Sequence, residues 1–120
     1  CVSKGQRVLE LRAGLALPCL AAASLGVDVT CTDLSSCLPV TELSFGANGY
    51  SMSAEASMWH APSGARLQVA ALDWLRPDYA ALRPPYDVIL GADITIYDRL
   101  HTALLQVLLH LTAPGSVVLF

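Results

Sequence analysis

Arg7-Val8-Leu9-Glu10-Leu11-Arg12-Ala13-Gly14-Leu15-Ala16-Leu17-Pro18 reads as a short apolar strand that ends on a carboxylate, turns through Gly14 and runs into an apolar helix. A turn of this kind lets backbone N–H groups face a ligand at a helix N-terminus, which is how nucleotide-type cofactors are held. Working outward, Val27-Asp28-Val29-Thr30-Cys31-Thr32 forms a second apolar strand that closes on Asp33. Asp33 then lies at the spacing, roughly 20 residues, at which a carboxylate reaches ribose hydroxyls. The turn departs from the usual pattern, because Arg12 and Ala16 stand where such loops carry glycine.

Strand and helix signals alternate along the rest of the chain. Residues 17–25 read as a short helix with Pro18 in its first turn, where a missing N–H costs nothing, and Gly26 at its end. Ser35 or Ser36 is expected to cap a second helix that carries Leu38, Glu42, Phe45 and Asn48 and ends near Gly49. Residues 50–64 are small and polar and read as a loop. Residues 66–72 give a third strand, and residues 86–92 a fourth whose unbroken apolar run suits the centre of a parallel sheet. Leu100, Leu104, Leu105, Leu108, Leu109 and Leu111 recur at helical spacing, and their face is expected to be core packing. Ala113-Pro114-Gly115 turns the chain into a fifth strand over residues 116–120. The alternation predicts an α/β fold with a doubly wound, mostly parallel sheet. Ligands in such sheets sit outside the carboxyl ends of the strands, so Glu10, Asp33, Asp73 and Asp93 are expected to converge on one rim.

Composition narrows the function classes. With 120 residues, 54% hydrophobic and 14% charged, the chain suffices for a single domain, residues 1–120, with a real core. A net charge of −3, one lysine (Lys4) and scattered arginines supply no basic stripe to neutralise phosphates, which argues against a nucleic-acid partner. The apolar stretch of residues 11–25 is broken by Arg12, Pro18 and Ser24 and falls short of the run of about 20 residues that spans a bilayer, so no membrane association is expected. Cys1, Cys19, Cys31 and Cys37 form no C-x-x-C pair and no His/Cys cluster, so no metal is expected and reduced, buried thiols in the cytoplasm are. The chain starts without Met and stops after its fifth strand, and reads as a fragment of a larger domain.

Val8-Leu9-Glu10-Leu11-Arg12-Ala13-Gly14, Thr32-Asp33, Leu72-Asp73-Trp74 and Tyr86-Asp87-Val88-Ile89-Leu90-Gly91-Ala92-Asp93 together resemble the seven-stranded (class I) S-adenosylmethionine-dependent methyltransferases. More narrowly they resemble the protein-lysine methyltransferase group acting on valosin-containing protein, Hsp70 chaperones and elongation factors. The resemblance implies a Rossmann-like domain truncated before its terminal antiparallel strands, and methyl transfer from S-adenosylmethionine to a protein side chain, lysine nitrogen above all. It also implies a chaperone or elongation-factor substrate, a cytoplasmic enzyme with the nucleus as a second compartment, and a monomer when complete. It places Glu10, Arg12, Ala13 and Gly14 along the methionine part of the cofactor, with Glu10 toward its amino group, and Asp33 with its neighbour Leu34 at the ribose. Asp73 and Trp74 would lie by the adenine, Ala92 would line the cofactor pocket, and Asp93 and Tyr97 would be the catalytic pair where the substrate nitrogen enters.

Each residue also has a plainer reading. Glu10 or Asp33 alone is as well explained as a strand-end cap, Trp74 alone as core, and His60, His101 and His110 as loop and helix residues. Three departures weigh against activity and favour, as the alternative, an impaired enzyme surviving as a scaffold. If Arg12 needs positive φ, it costs about 1–2 kcal/mol. Replacing it by glycine is then expected to raise cofactor affinity, unless Arg12 contacts the cofactor carboxylate. Ala16 and Cys19 replace glycines expected to bring helix and strand close, and Tyr97 stands four residues beyond Asp93 where the family has three. A dinucleotide-dependent dehydrogenase fits less well, since Gly14-Leu15-Ala16-Leu17-Pro18-Cys19 lacks the further glycines that admit a pyrophosphate.

Overall fold

The apolar strand that opens the sequence is the middle of the sheet. In the computed structural model, which describes residues 2–55 and 57–120, β1 (Val8–Leu11) is buried throughout and pairs in parallel with β2 (Val29–Asp33) on one side. On its other side it pairs in parallel with β6 (Val88–Gly91). The parallel sheet is completed by β5 (Arg66–Ala71) beside β2 and β7 (Val117–Leu119) beside β6. Three helices serve the crossovers: α1 (Leu17–Ser24), α2 (Leu38–Ala47) and α3 (His101–Leu111), the last preceded by a 3-10 turn at Asp98–Leu100. None is long and apolar enough to cross a membrane. The chain moves outward from β1 to β2 and β5 and then returns to lay β6 against the opposite side of β1. That reversal between β1 and β6 opens a crevice at the carboxyl ends of the strands.

Residues 50–64, expected as a loop, instead contain a hairpin. β3 (Ser51–Met52) and β4 (Met58–His60) pair antiparallel, and β4 adds antiparallel to the free edge of β5, so the described residues form seven strands in the order β3-β4-β5-β2-β1-β6-β7. Strands of two and three residues are too short to display a period of two, and tertiary packing supplies what propensity lacks. Trp59 is the anchor. It is buried edge-on against Phe45 of α2, with ring centroids 5.7 Å apart, and its Nε1–H donates to Glu42 Oε2 at 3.1 Å.

Strand alternation divides the core into two layers. Val8 and Val29 face α1 and α2, alongside Ala23, Phe45 and Leu67. Leu9 and Leu11 face the other way, onto Ile89, Leu104, Val107 and Leu111. α3 therefore packs through Leu104, Val107 and Leu111, whereas Leu105 and Leu109, expected in that apolar face, point outward. α1 begins as expected with Pro18 in its first turn, and Gly26 takes φ +82° just beyond it. α2 does not use Ser35 or Ser36 as a cap. Cys37 holds that position without a side-chain bond, and Pro39 in the first turn lessens the need by removing one N–H donor.

Candidate functional site

The loop after β1 is fixed by bonds from two elements, β2 and α2. Ala13 N–H donates to the Thr32 carbonyl at 2.9 Å and Gly14 N–H to Asp33 Oδ2 at 2.9 Å. From α2, Thr41 Oγ1 donates to the Gly14 carbonyl at 2.6 Å and Ser44 Oγ to that of Leu15 at 2.7 Å. These bonds hold three alternate residues in the left-handed region: Arg12 at φ +52°, Gly14 at +52° and Ala16 at +57°. Only glycine adopts that backbone without cost, and an L side chain pays about 1–2 kcal/mol. Arg12 and Ala16 thus sit where the backbone asks for glycine, as the pattern of the loop predicted. Arg12→Gly is expected to raise folding stability by about 0.5–1 kcal/mol, because relief of the strain exceeds the added freedom of the unfolded chain. Denaturant unfolding of the two proteins measures the difference, and an equal or lower stability would show that Arg12 makes compensating contacts.

Glu10 is placed by strand alternation, not by the ligand crevice. It shares the α1 face with Val8, is 1% exposed, and its Oε2 accepts the Cys19 N–H at 3.0 Å. Burial pushes its carboxyl up to about 7, the Cys19 N–H opposes this, and the Asp33 carboxylate adds to the rise. Beside it, Cys19 of α1 and Cys31 of β2 are joined as a disulfide. This corrects the expectation of reduced thiols for that pair. Cys1 lies outside the described residues and Cys37 is free. The fold also assembles a group that spacing could not reveal: possible ligand atoms of Glu10, Cys19 and Cys31 lie within 4.8 Å of one another. Both sulfurs are committed to each other, so no thiolate is free there for a metal. Cys19 occupies a position expected to need glycine because its sulfur is turned to Cys31, and it is fully buried.

A cavity of about 380 Å³ opens at the carboxyl edge of the sheet, on the crevice between the β1, β2, β5 and β6 loops. That volume is within the range of small-molecule sites. Asp33 and Leu34 line it from β2, Asp73 and Trp74 from the loop after β5, and Arg12 from the loop after β1. Tyr97, Arg99 and Leu100 close the side nearest β6. Of the four rim carboxylates, the cavity therefore gathers Asp33 and Asp73. Asp33 is 6% exposed and accepts N–H bonds from Gly14 on Oδ2 and from Leu34 on Oδ1 at 2.7 Å. An ionised carboxylate has about four acceptor sites, so two remain for hydroxyl donors in the cavity. Trp74 belongs to the core and lines the cavity as well, so its two readings describe one position. Leu72, Leu75 and Arg99 also line the cavity and were missed in the sequence, where adjacency to Asp73, Trp74 and Tyr97 was the available signal.

Ala13, Gly14, Ala92 and Asp93 lie on the same loops without lining the cavity. Ala13 is buried, and the N–H of Gly14 is taken by Asp33, so that amide is not offered to a ligand. After β6 the chain turns sharply at Asp93, an exposed residue with φ +55°, and buries Ile94 against Gly91. A Cβ at Gly91 would meet the tip of the Ile94 side chain, so a larger residue there requires Ile94 to shift. The turn carries Tyr97 to the cavity edge, 44% exposed, where the guanidinium carbons of Arg12 and Arg99 lie 5.6 and 5.8 Å from its ring centroid. His101 is used structurally, its Nε2 bonding the Thr95 carbonyl at 2.7 Å, and His110 stacks on Tyr79.

A doubly wound sheet with a carboxylate and an aromatic wall at its switch point is the architecture of nucleotide-cofactor α/β domains, class I methyltransferases among them. The family model for lysine methyltransferase matches residues 2–120, and the chain belongs to that family. It is 36% identical over 118 residues to the protein N-lysine methyltransferase METTL21A of Danio rerio, covering 97% of this chain and 49% of that protein. It is 34% identical over 115 residues to the EEF1A lysine methyltransferase 3 of Mus musculus, covering 96% and 44%. The chain thus spans about half the length of these relatives. Among solved structures it resembles the glycopeptide N-methyltransferase MtfA complexed with sinefungin, with a TM-score of 0.69, 19% identity, and 97% and 46% of the two chains covered. It also resembles PKMT2 of Rickettsia typhi in complex with AdoHcy, with a TM-score of 0.66, 15% identity, and 94% and 20% covered. Both likenesses are of fold.

Proposed function

We propose that this chain is the cofactor-binding part of an S-adenosylmethionine-dependent methyltransferase acting on a protein lysine. The observation that carries the reading is the convergence of Asp33, Asp73 and Trp74 on one cavity at the switch point, in a chain of the lysine methyltransferase family. The cavity suits an adenosine. The unused lone pairs of Asp33 accept ribose hydroxyls, and Trp74 with Leu72 supplies an apolar wall for a base. When bound, S-adenosylmethionine supplies a methyl group on a sulfonium, open to in-line displacement by a neutral amine. The work left to the chain is positioning and charge placement. Asp93, exposed at the start of the loop that ends at Tyr97, would hold the incoming lysine by its charge, and Tyr97 would present its ring face at the cavity edge. Names among the relatives favour elongation factor 1A as the kind of substrate, with a chaperone as the other kind the sequence suggests.

Calorimetric titration with S-adenosylhomocysteine and, separately, with NAD tests the cofactor. Saturable binding of the homocysteine nucleoside and none of NAD is expected, since the loop provides no glycine-lined seat for a pyrophosphate. Binding of NAD alone would remove the methyltransferase reading. A folded chain that binds neither would be the scaffold.

A further inference from the structure

Asp33, Asp73 and Trp74, which the resemblance places at the adenosine, line one cavity, whereas the residue it places at the amino group of the methionine tail does not. Glu10 is turned under α1 and bonded to Cys19 N–H, and does not line the cavity. Arg12 does. Its guanidinium stands at the cavity edge against the Tyr97 ring, and among the described residues it makes no ion pair and no hydrogen bond. Neither carboxylate that shares the cavity pairs with it: Asp33 accepts the backbone N–H groups of Gly14 and Leu34, and Asp73 Oδ1 accepts that of Leu75 at 2.9 Å. A planar fork of donors with no partner, fixed on a strained backbone at φ +52°, is matched in shape and charge by a free carboxylate.

We propose that Arg12 is a specificity-determining residue for the cofactor, binding the carboxylate of its amino-acid tail, with the Tyr97 ring as the platform that orients the guanidinium. This rests on the cofactor reading given above. Asp33 then fixes the ribose and Arg12 the tail, so the nucleoside is held at two points. In this scheme the tail is recognised chiefly through its carboxylate, the amino-group contact of Glu10 being closed off by α1. Tyr97, which lies one residue further from Asp93 than the family spacing, is a positioning residue acting through Arg12.

The test compares two nucleoside thioethers that differ by the tail: S-adenosylhomocysteine, which has it, and 5′-methylthioadenosine, which does not. Dissociation constants are measured by calorimetry for the unaltered chain and for Arg12→Asn, Arg12→Lys and Tyr97→Ala. Asparagine tolerates a left-handed backbone and removes the charge, and thermal unfolding checks that each variant is folded. The preference for S-adenosylhomocysteine is expected to fall about tenfold in Arg12→Asn, with binding of 5′-methylthioadenosine changed less than about twofold. Arg12→Lys is expected to keep part of the preference, and Tyr97→Ala to lower it by less than Arg12→Asn. An unchanged preference in a folded Arg12→Asn would overturn the assignment while leaving the cofactor reading intact, and would turn attention to an acidic substrate segment as the partner of Arg12. Failure of the unaltered chain to bind either nucleoside would instead sink the cofactor reading, and this inference with it.

Discussion

Raising the pH from 5 to 8 is expected to cost the folded chain about 2.5 kcal/mol through Glu10 alone, and Glu10→Gln is expected to abolish that part of the pH dependence. The sign follows from which state holds the proton. In the unfolded chain the carboxyl ionises near its ordinary value of 4.5, whereas in the fold burial raises it to about 7. Between those values the unfolded state has lost its proton and the folded state keeps it, so stability declines as pH rises through this window and levels off above 7. Below 4.5 both states are protonated and nothing is lost. Asp28 works the other way and outside the window. Its partial burial raises its pKa, but the backbone N–H and guanidinium of Arg66 outweigh this and leave it below its usual value. Unfolding by denaturant at pH 5 and pH 8, for the unaltered chain and for Glu10→Gln, isolates the contribution. Parallel pH profiles would mean that Glu10 is ionised in the fold and that its surroundings are better solvated than its 1% exposure implies.

Asp33→Ala is expected to weaken binding of S-adenosylhomocysteine by about 1.5–3 kcal/mol, because it leaves ribose donors without a charged acceptor in a largely buried site. The structure adds a second consequence. Asp33 also accepts the N–H of Gly14, so alanine frees one of the bonds that hold the strained loop after β1. A loss of about 1–3 kcal/mol of folding stability is expected alongside, the cost of an amide left without its charged acceptor. Asp33→Asn separates the two effects. It retains an acceptor for Gly14 and loses the charge, so it is expected to recover most of the stability and little of the affinity. Calorimetry and thermal unfolding on the same samples read both quantities. An unchanged dissociation constant in folded Asp33→Ala would show that Asp33 is a strand-end cap and nothing more.

How far the sequence reached follows from the range of each signal. The five parallel strands, the three helices and their order were legible because unbroken apolar runs, Pro18 and Gly26 act over a few residues. The glycine-like backbone at Arg12 was legible from loop spacing, and so was the placing of Asp33 at the crevice, whereas Ala16, expected to stand in for a glycine of close helix–strand packing, takes positive φ itself. What was not legible depends on contacts between residues distant in sequence. The hairpin at β3 and β4 exists because Trp59 finds Phe45, the Cys19–Cys31 bond because a crossover lays α1 on β2, and the outward Leu105 and Leu109 because α3 meets the sheet on a narrow face. Glu10 shows the division most sharply. Its residue type and position suggested a ligand contact, yet a strand has a period of two, and once Leu9 and Leu11 are committed to α3, Glu10 must face α1. The sequence by itself determined the order of elements and the carboxylates on offer; only the tertiary structure decided which of them meets the cavity, because that depends on which face of the sheet each side chain is turned to.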